Sequence, residues 1–182
     1  MSKKALIIYG TRFGATTSTS EELAKVLREE GLEVTVVNAK KDKVQDISGY
    51  SLIVVGSGMM MDRWTKEPEK SLKKFQKELV KKKVALFVSS GVDYKEEPEA
   101  IGRAKKKYLV EKAEKYELHP VALGLFGGIW DFNNMPWWAS RFAAMGRPKI
   151  EAAGFKEIKP GVYDTRDWDT IRSWAKELAA KA

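Results

Sequence analysis

Gly10-Thr11-Arg12-Phe13-Gly14-Ala15-Thr16-Thr17-Ser18-Thr19-Ser20 is a run of small, hydroxyl-bearing and basic residues. It follows the apolar stretch 4–9 directly and leads into a helical pattern. At a strand-to-helix junction these residue types suit the holding of a phosphate. Backbone amides from Thr11 to Thr16 can form a concave nest for an anion. The following helix offers free amides and the positive end of its dipole. Thr11, Thr16 and Thr17 add hydroxyl donors, Arg12 adds positive charge, and Gly14 admits a tight turn closed to larger residues. An ordinary strand-to-helix turn rich in capping residues has the same composition. The chain lacks the lysine-containing P-loop and the three-glycine dinucleotide signature, which argues against ATP hydrolysis and NAD binding.

Two later segments have the character of ligand loops. In Gly56-Ser57-Gly58-Met59-Met60-Met61-Asp62-Arg63-Trp64 the small residues let backbone approach a ring. Met60, Met61 or Trp64 can cover an apolar ring face, or pack internally. Ser89-Ser90-Gly91-Val92-Asp93-Tyr94 offers backbone from Ser90 to Val92, with Tyr94 either stacking or pinning the loop. Gly127, Gly128 and Ile129 stand to line the same mouth. Asp93 and Asp131 are candidate carboxylates without an evident pair. His119, the one histidine, precedes Pro120 ahead of a strand, where a structural or solvent role is expected. Cysteine is absent, so disulfides, iron–sulfur clusters and thiol catalysis are excluded. Chemistry here calls for a cofactor.

The elements that position these loops follow from hydrophobic spacing. Strands are expected over 4–9, 33–37, 51–55, 83–88 and 121–126, the first nearly continuously apolar as for a buried parallel strand, the second nearer a sheet edge. Helices are expected over 18–30, with Leu23, Val26 and Leu27 inward; 68–80, with Leu72, Phe75 and Leu79 inward; and 97–116. The aromatic region 129–149 interrupts the alternation. Residues 149–159 read as a connection or short strand. A last helix is capped by Asp164 or Thr165 and faces inward through Trp168, Ile171, Ala175 and Leu178. Five strands alternating with helices make a three-layer α/β domain spanning 1–182. In strand order 2-1-3-4-5, ligands bind at the reversal between the first and third strands.

The 182 residues give room for a sizeable core, and no apolar run is long enough to cross a membrane. The N-terminus reads as a first strand rather than a signal peptide. The net charge is +8, which suits either an anionic partner or a lysine-coated, solvated surface. Lys73, Lys74, Lys77, Lys81, Lys82 and Lys83 alternate with glutamates in helical spacing, as on a solvated helix.

With the first loop, the glycine-rich strand ends and the element order together, the whole chain resembles the flavodoxin superfamily. Thr11, Gly14 and Thr16 match that superfamily's phosphate loop, with Arg12 and Phe13 where small or hydroxyl residues often stand. It is more similar to the flavodoxin-like, menaquinone-dependent protoporphyrinogen oxidases. Their first loop reads threonine, arginine, a variable residue, glycine, here Thr11-Arg12-Phe13-Gly14, and Tyr163-Asp164-Thr165-Arg166-Asp167-Trp168 enters the last helix much as theirs does. Their aromatic and basic insertion after the fifth strand corresponds to about 130–147.

The resemblance implies a flavodoxin-like sandwich and FMN as cofactor. Its phosphate is expected on Thr11, Arg12, Phe13, Gly14, Ala15, Thr16 and Thr17. Its ring is expected between Ser57, Gly58, Met59 and Met60 on one side and Ser90, Gly91, Val92, Asp93 and Tyr94 on the other. In that family FMN accepts reducing equivalents from protoporphyrinogen IX and passes them to a quinone, so an FMN-dependent oxidoreductase is implied. A flavodoxin-type soluble electron carrier is the alternative, and a flavin-free binding protein a third reading. Trp130, Trp137, Trp138, Arg141 and Arg147 would shape the surface for a quinone, a tetrapyrrole or a redox partner protein; alternatively, Trp138, Phe142 and Met145 form a packed helix face. A cytoplasmic place is implied, with peripheral contact at the inner face of the membrane and homo-oligomerisation left open. A nucleic-acid partner is not expected, because charge alone points to one.

Overall fold

A computed structural model describes residues 3–91, 98–134 and 137–182, with backbone alone for 137–144. Strands β1 (Lys4–Gly10), β2 (Glu33–Asn38), β3 (Leu52–Gly58), β4 (Lys83–Ser89) and β5 (Ala122–Phe126) form one parallel sheet in the order β2-β1-β3-β4-β5. The flavodoxin-like three-layer sandwich is therefore present as expected, with β2 at an edge. Alternate residues of the central strands serve two cores. Ala5, Ile7, Leu52, Val54, Ala85 and Phe87 pack under α1 (Ala15–Glu29) and α6 (Trp168–Lys181). Leu6, Ile8, Ile53, Val55, Val84, Leu86 and Val88 pack under α2 (Lys66–Leu79) and α4 (Glu111–Lys115). Burial on both faces explains why these strands read as continuous apolar runs. The inward residues expected for α1, α2 and α6 are buried, apart from Trp168, which is partly so.

Register brings the candidate ligand loops to one edge. Gly10 lies opposite Ser57 and Gly58 opposite Ser89, so β1, β3 and β4 end side by side. Ser89 in turn pairs with Phe126.

Several boundaries differ from the sequence expectation. Helix α1 begins at Ala15 rather than Ser18, because Gly14 takes a left-handed conformation (φ 90°) and starts the helix three residues early. Thr16 and Thr17 therefore belong to its first turn. β3 continues through Gly56, Ser57 and Gly58, which extend the strand instead of opening a loop. The expected single helix 97–116 contains α3 (Pro98–Lys105), a π-helical turn over Lys106–Val110, and α4.

The region after β5 forms a second sheet, of which the sequence reading offered only a short strand within 149–159. β6 (Ile129–Asp131), β7 (Glu157–Lys159) and β8 (Val162–Asp164) are antiparallel in the order β6-β8-β7. Three-residue strands leave too little alternation to be read from spacing. Helix α5 (Trp137–Ala152) fills the rest of the insertion and runs past Lys149, where a connection or short strand was expected. Met145 is exposed on it, so the expected inward face through Trp138, Phe142 and Met145 does not hold at Met145; the side chains of Trp138 and Phe142 lie outside the described residues. The cap of α6 is Asp167, whose carboxylate accepts from Asp169 N and Thr170 N, and not Asp164 or Thr165. Those two are engaged elsewhere, as set out below.

Candidate functional site

The first loop closes on itself through Gly14 N, which donates to Thr11 Oγ1 at 2.9 Å. Arg12, Phe13 and Gly14 are exposed, Thr11 and Thr17 half-buried, and Ala15 and Thr16 buried. In the first turn of α1 the amides of Ala15 and Thr16 precede the first intrahelical bonds, as at any helix start. Thr16 adds a specific signal. Its side chain is buried, yet its hydroxyl has no hydrogen-bond partner among the described residues. Such a group costs about 1–3 kcal/mol unless something outside the chain satisfies it. Beside it, Gly58 has no side chain; a Cβ there would stand 3.1 Å from Thr16 Oγ1 and 3.5 Å from Arg12 N. Gly58 thus keeps open the space onto which the hydroxyl and the Arg12 amide border. These donors, the unsatisfied hydroxyl and the helix dipole fit a phosphate.

The structure also shows what holds this first turn, and it is a residue the sequence reading gave no role. Arg166 is buried, and its guanidinium donates to Ala15 O at 3.0 Å and Ser18 Oγ at 2.5 Å. A bidentate pair with Asp164 (2.8 and 2.7 Å) neutralises it, and it lies over the Trp168 ring at 4.2 Å. The C-terminal segment therefore fixes the start of α1 across 151 positions of sequence. Arginine two residues after aspartate was the only sign of this in the sequence. Thr165 Oγ1 accepts from Gly128 N and donates to Gly128 O, and Ser90 N donates to Phe126 O. The loops 89–91 and 126–128 and the segment 164–166 are thereby one hydrogen-bonded unit.

The second loop is a tight hairpin. Met60 and Arg63 exchange both backbone bonds (3.2 and 3.1 Å), with Met61 (φ 49°) and Asp62 (φ 60°) both left-handed, as a type I′ turn requires. Neither residue is glycine, so the turn carries backbone strain. It is clamped from the π-helical turn. Asp62 accepts from Lys107 Nζ at 2.7 Å and from the Tyr108 hydroxyl, which hold its carboxyl below the usual range. Trp64, next in the loop, is only 4% exposed; its Nε1 donates to Tyr108 O, and its ring joins the core under α2. Of the three side chains considered as a ring cover, Trp64 packs internally, Met61 is 72% exposed and Met60 is half-buried.

The remaining candidates divide similarly. Ser57 is buried, and its hydroxyl is spent on Thr65, accepting from Thr65 N at 2.8 Å and lying 3.0 Å from Thr65 Oγ1. Gly58 is buried and Met59 half-buried, with Met59 N bonded to Ser89 O. Ser89 and Ser90 are buried, and Ser89 Oγ, like Thr16 Oγ1 and Thr19 Oγ1, is a hydroxyl without a partner among the described residues. Gly91 is exposed and packed against the Trp130 ring; Val92, Asp93 and Tyr94 lie outside the described residues. Trp130 stacks on Phe132 (centroids 6.2 Å), and Phe132 meets Tyr163 edge-on. Asp131 caps the turn after β6 through the amides of Asn133 and Asn134. Arg147 pairs with Glu151 and Glu157 and ties α5 to β7. Tyr163 donates to both carboxylates, and its hydroxyl is pushed up to about 12, chiefly by the bond to Glu151. The side chains of Trp137, Trp138 and Arg141 are outside the described residues. His119 is exposed.

Comparison with known proteins agrees with this architecture. A family model described as a flavodoxin domain matches residues 6–145. Protoporphyrinogen IX dehydrogenase (quinone) of Escherichia coli K12 is 24% identical over 179 residues, covering 97% of this chain and 94% of its own. Among solved structures, the two-electron reduced flavodoxin of Megasphaera elsdenii is similar with a TM-score of 0.57 and 19% identity, covering 98% of this chain and 99% of its own. Rubredoxin oxygen:oxidoreductase of Desulfovibrio gigas has a TM-score of 0.58 and 16% identity over 99% of this chain, which spans only 36% of that larger protein. No helix among the described residues is long and apolar enough to cross a membrane.

Proposed function

Because the chain belongs to the flavodoxin domain family, we propose that it binds FMN at the β1–α1 loop and works as an oxidoreductase resembling protoporphyrinogen IX dehydrogenase (quinone). The observation that carries the cofactor is the buried, unpartnered Thr16 hydroxyl beside the space that Gly58 leaves open. FMN supplies hydride and single-electron chemistry, for which the protein provides binding, orientation and electrostatics. Thr11, Thr16 and Thr17, with the amides from Arg12 to Thr16, would hold the phosphate. Arg166, neutralised by Asp164, keeps the first turn of α1 in place. Backbone of 58–60 and 90–91 would flank the ring, with Ser89 Oγ as a further donor. Trp130, set against Gly91 and near Gly146 of α5, stands beside this loop, and a quinone or tetrapyrrole would approach there.

Titration of FMN with the purified chain, followed by quenching of flavin fluorescence, tests the cofactor. One FMN per chain is expected, and Thr16→Val, which keeps shape and removes the hydroxyl, should weaken binding about tenfold or more, the worth of one hydrogen bond to a charged group. The reaction is tested by following porphyrin formation from protoporphyrinogen IX with FMN-loaded protein and a menaquinone analogue. Stoichiometric FMN without turnover, combined with single-electron exchange with an acceptor protein, selects the flavodoxin-type carrier. Absence of FMN binding refutes both.

A further inference from the structure

We propose that α2 carries a docking stripe for an acidic protein partner. Lys66, Lys70, Lys73, Lys77 and Lys81 are exposed, and none makes an ion pair among the described residues. Lys66, Lys70, Lys73 and Lys77 lie within α2, where their spacing places them in a single row: at about 100° per residue they fall within about 60° of one another, and at a 1.5 Å rise they span about 16 Å. Lys81 follows in the turn just past the helix end at Leu79. Neighbouring lysines are differently used. Lys74 donates to Val44 O, and Lys82 donates to Ser48 O and Tyr50 O. The acids of α2 do not neutralise the row either, because Glu69 is turned to Lys112 and Lys115 at 2.8 Å each.

The charge is concentrated on this side of the sheet. Between residues 66 and 83 there are eight lysines and three glutamates, whereas 15–30, on α1 across the sheet, has four glutamates, one lysine and one arginine. A molecule polarised in this way orients an anionic partner before contact. The narrow row favours a protein over the other polyanions. It contains no arginine for bidentate phosphate recognition and no aromatic residue for base stacking or for anchoring in a bilayer. Glu67 and Glu78 stand to one side of it on the same helix, where a broad phosphate surface would meet like charge. An acidic helix with carboxylates at the same spacing meets only the lysines.

The stripe starts at the site. Thr65, the residue before Lys66, is hydrogen-bonded to Ser57 at the end of β3. A partner lying along α2 therefore has one end beside the hairpin 60–63, next to the proposed cofactor. The inference adds the class of partner to the redox reading, but its test does not depend on that reading.

The probe is a synthetic helical peptide bearing five glutamates at the spacing i, i+4, i+7, i+11 and i+15, measured by fluorescence anisotropy against the full chain with and without added FMN. Replacing the five stripe lysines by glutamine should weaken binding about 30-fold at low salt, a factor of about two per exposed ion pair. The wild-type affinity should fall as salt is raised. A control variant removes the same charge elsewhere, at Lys25, Lys40, Lys156, Lys159 and Lys176, and should weaken binding only a few-fold. Unchanged thermal unfolding and FMN affinity in both variants show that fold and cofactor site are intact. Equal losses in the two variants overturn the proposal, since binding then reports net charge alone. Tighter binding of duplex DNA or phosphatidylserine vesicles than of the peptide, lost in the stripe variant, overturns it in favour of a nucleic acid or a membrane.

Discussion

Replacing Arg166 by methionine should destabilise the protein and loosen the start of α1 together. Three effects are removed at once: the bidentate pair with Asp164, the two bonds to Ala15 O and Ser18 Oγ, and the cation–π contact with the Trp168 ring. Methionine keeps the apolar stem over Trp168, so the electrostatic part dominates. Breaking a buried pair typically costs about 3–5 kcal/mol, because it leaves the partner charge uncompensated. The Asp164 side chain is 17% exposed and regains some water, which places the loss near the lower end, about 3 kcal/mol. For 182 residues, at about 2.1 cal/mol/K per residue, that lowers Tm by about 8 °C. Urea denaturation followed by circular dichroism measures it as a fall in the midpoint at unchanged slope. The decisive comparison is the double variant Arg166→Met with Asp164→Asn. Removing the stranded carboxylate should restore at least about 1 kcal/mol, the usual penalty of an unsatisfied buried group. FMN affinity should drop in the single variant and stay low in the double, because neither variant restores the bonds to α1. A single-variant loss below about 1 kcal/mol, or a double variant no more stable than the single, would refute the assignment of Arg166 as a buried, charge-balanced support.

Glu69 provides a pH test. Burial raises its pKa, but the bonds from Lys112 and Lys115 outweigh this and hold it at about 2 against an ordinary 4.5. A depressed folded-state value stabilises above the unfolded pKa, and that stabilisation is lost as pH falls from about 4.5 to about 2; after discounting for partial solvent screening it is worth about 1–2 kcal/mol. The stability gap between wild type and Glu69→Gln in urea should accordingly close across that window. Met61→Asn should stabilise by about 0.5–1 kcal/mol, because asparagine tolerates the left-handed φ that the hairpin requires; an unchanged urea midpoint would count against strain at Met61. Gly91→Ala would bring a Cβ to 2.3 Å from the Trp130 ring. Overpacking of this kind should cost about 1–3 kcal/mol and weaken FMN binding, with recovery when Trp130 is also shortened to leucine.

The layered fold was legible because its signals are local and repeated. Strand stretches such as 5–9 and 52–55 are apolar throughout because helices cover both faces, and the inward residues of α1, α2 and α6 keep helical spacing. The candidate phosphate loop could be picked out because hydroxyl and glycine residues stand where a strand meets a helix. Boundaries set by a single backbone conformation were less so: Gly14 starts α1 early, and Asp167 takes the cap from two neighbouring candidates.

The amino-acid sequence by itself determined the alternation of elements, the two-sided burial of the sheet and the chemistry available at the end of β1. Those depend on periodicity and residue type, which operate over a few neighbouring positions. The tertiary structure alone decided which groups are left free. It spent the Ser57 hydroxyl on Thr65, sent Trp64 into the core and left the Thr16 hydroxyl without a partner among the described residues. It also brought Arg166 under the first turn of α1, 151 positions away in sequence. Whether a polar atom is satisfied depends on neighbours distant in sequence, so only the folded chain distinguishes a hydroxyl left unpaired from one already engaged.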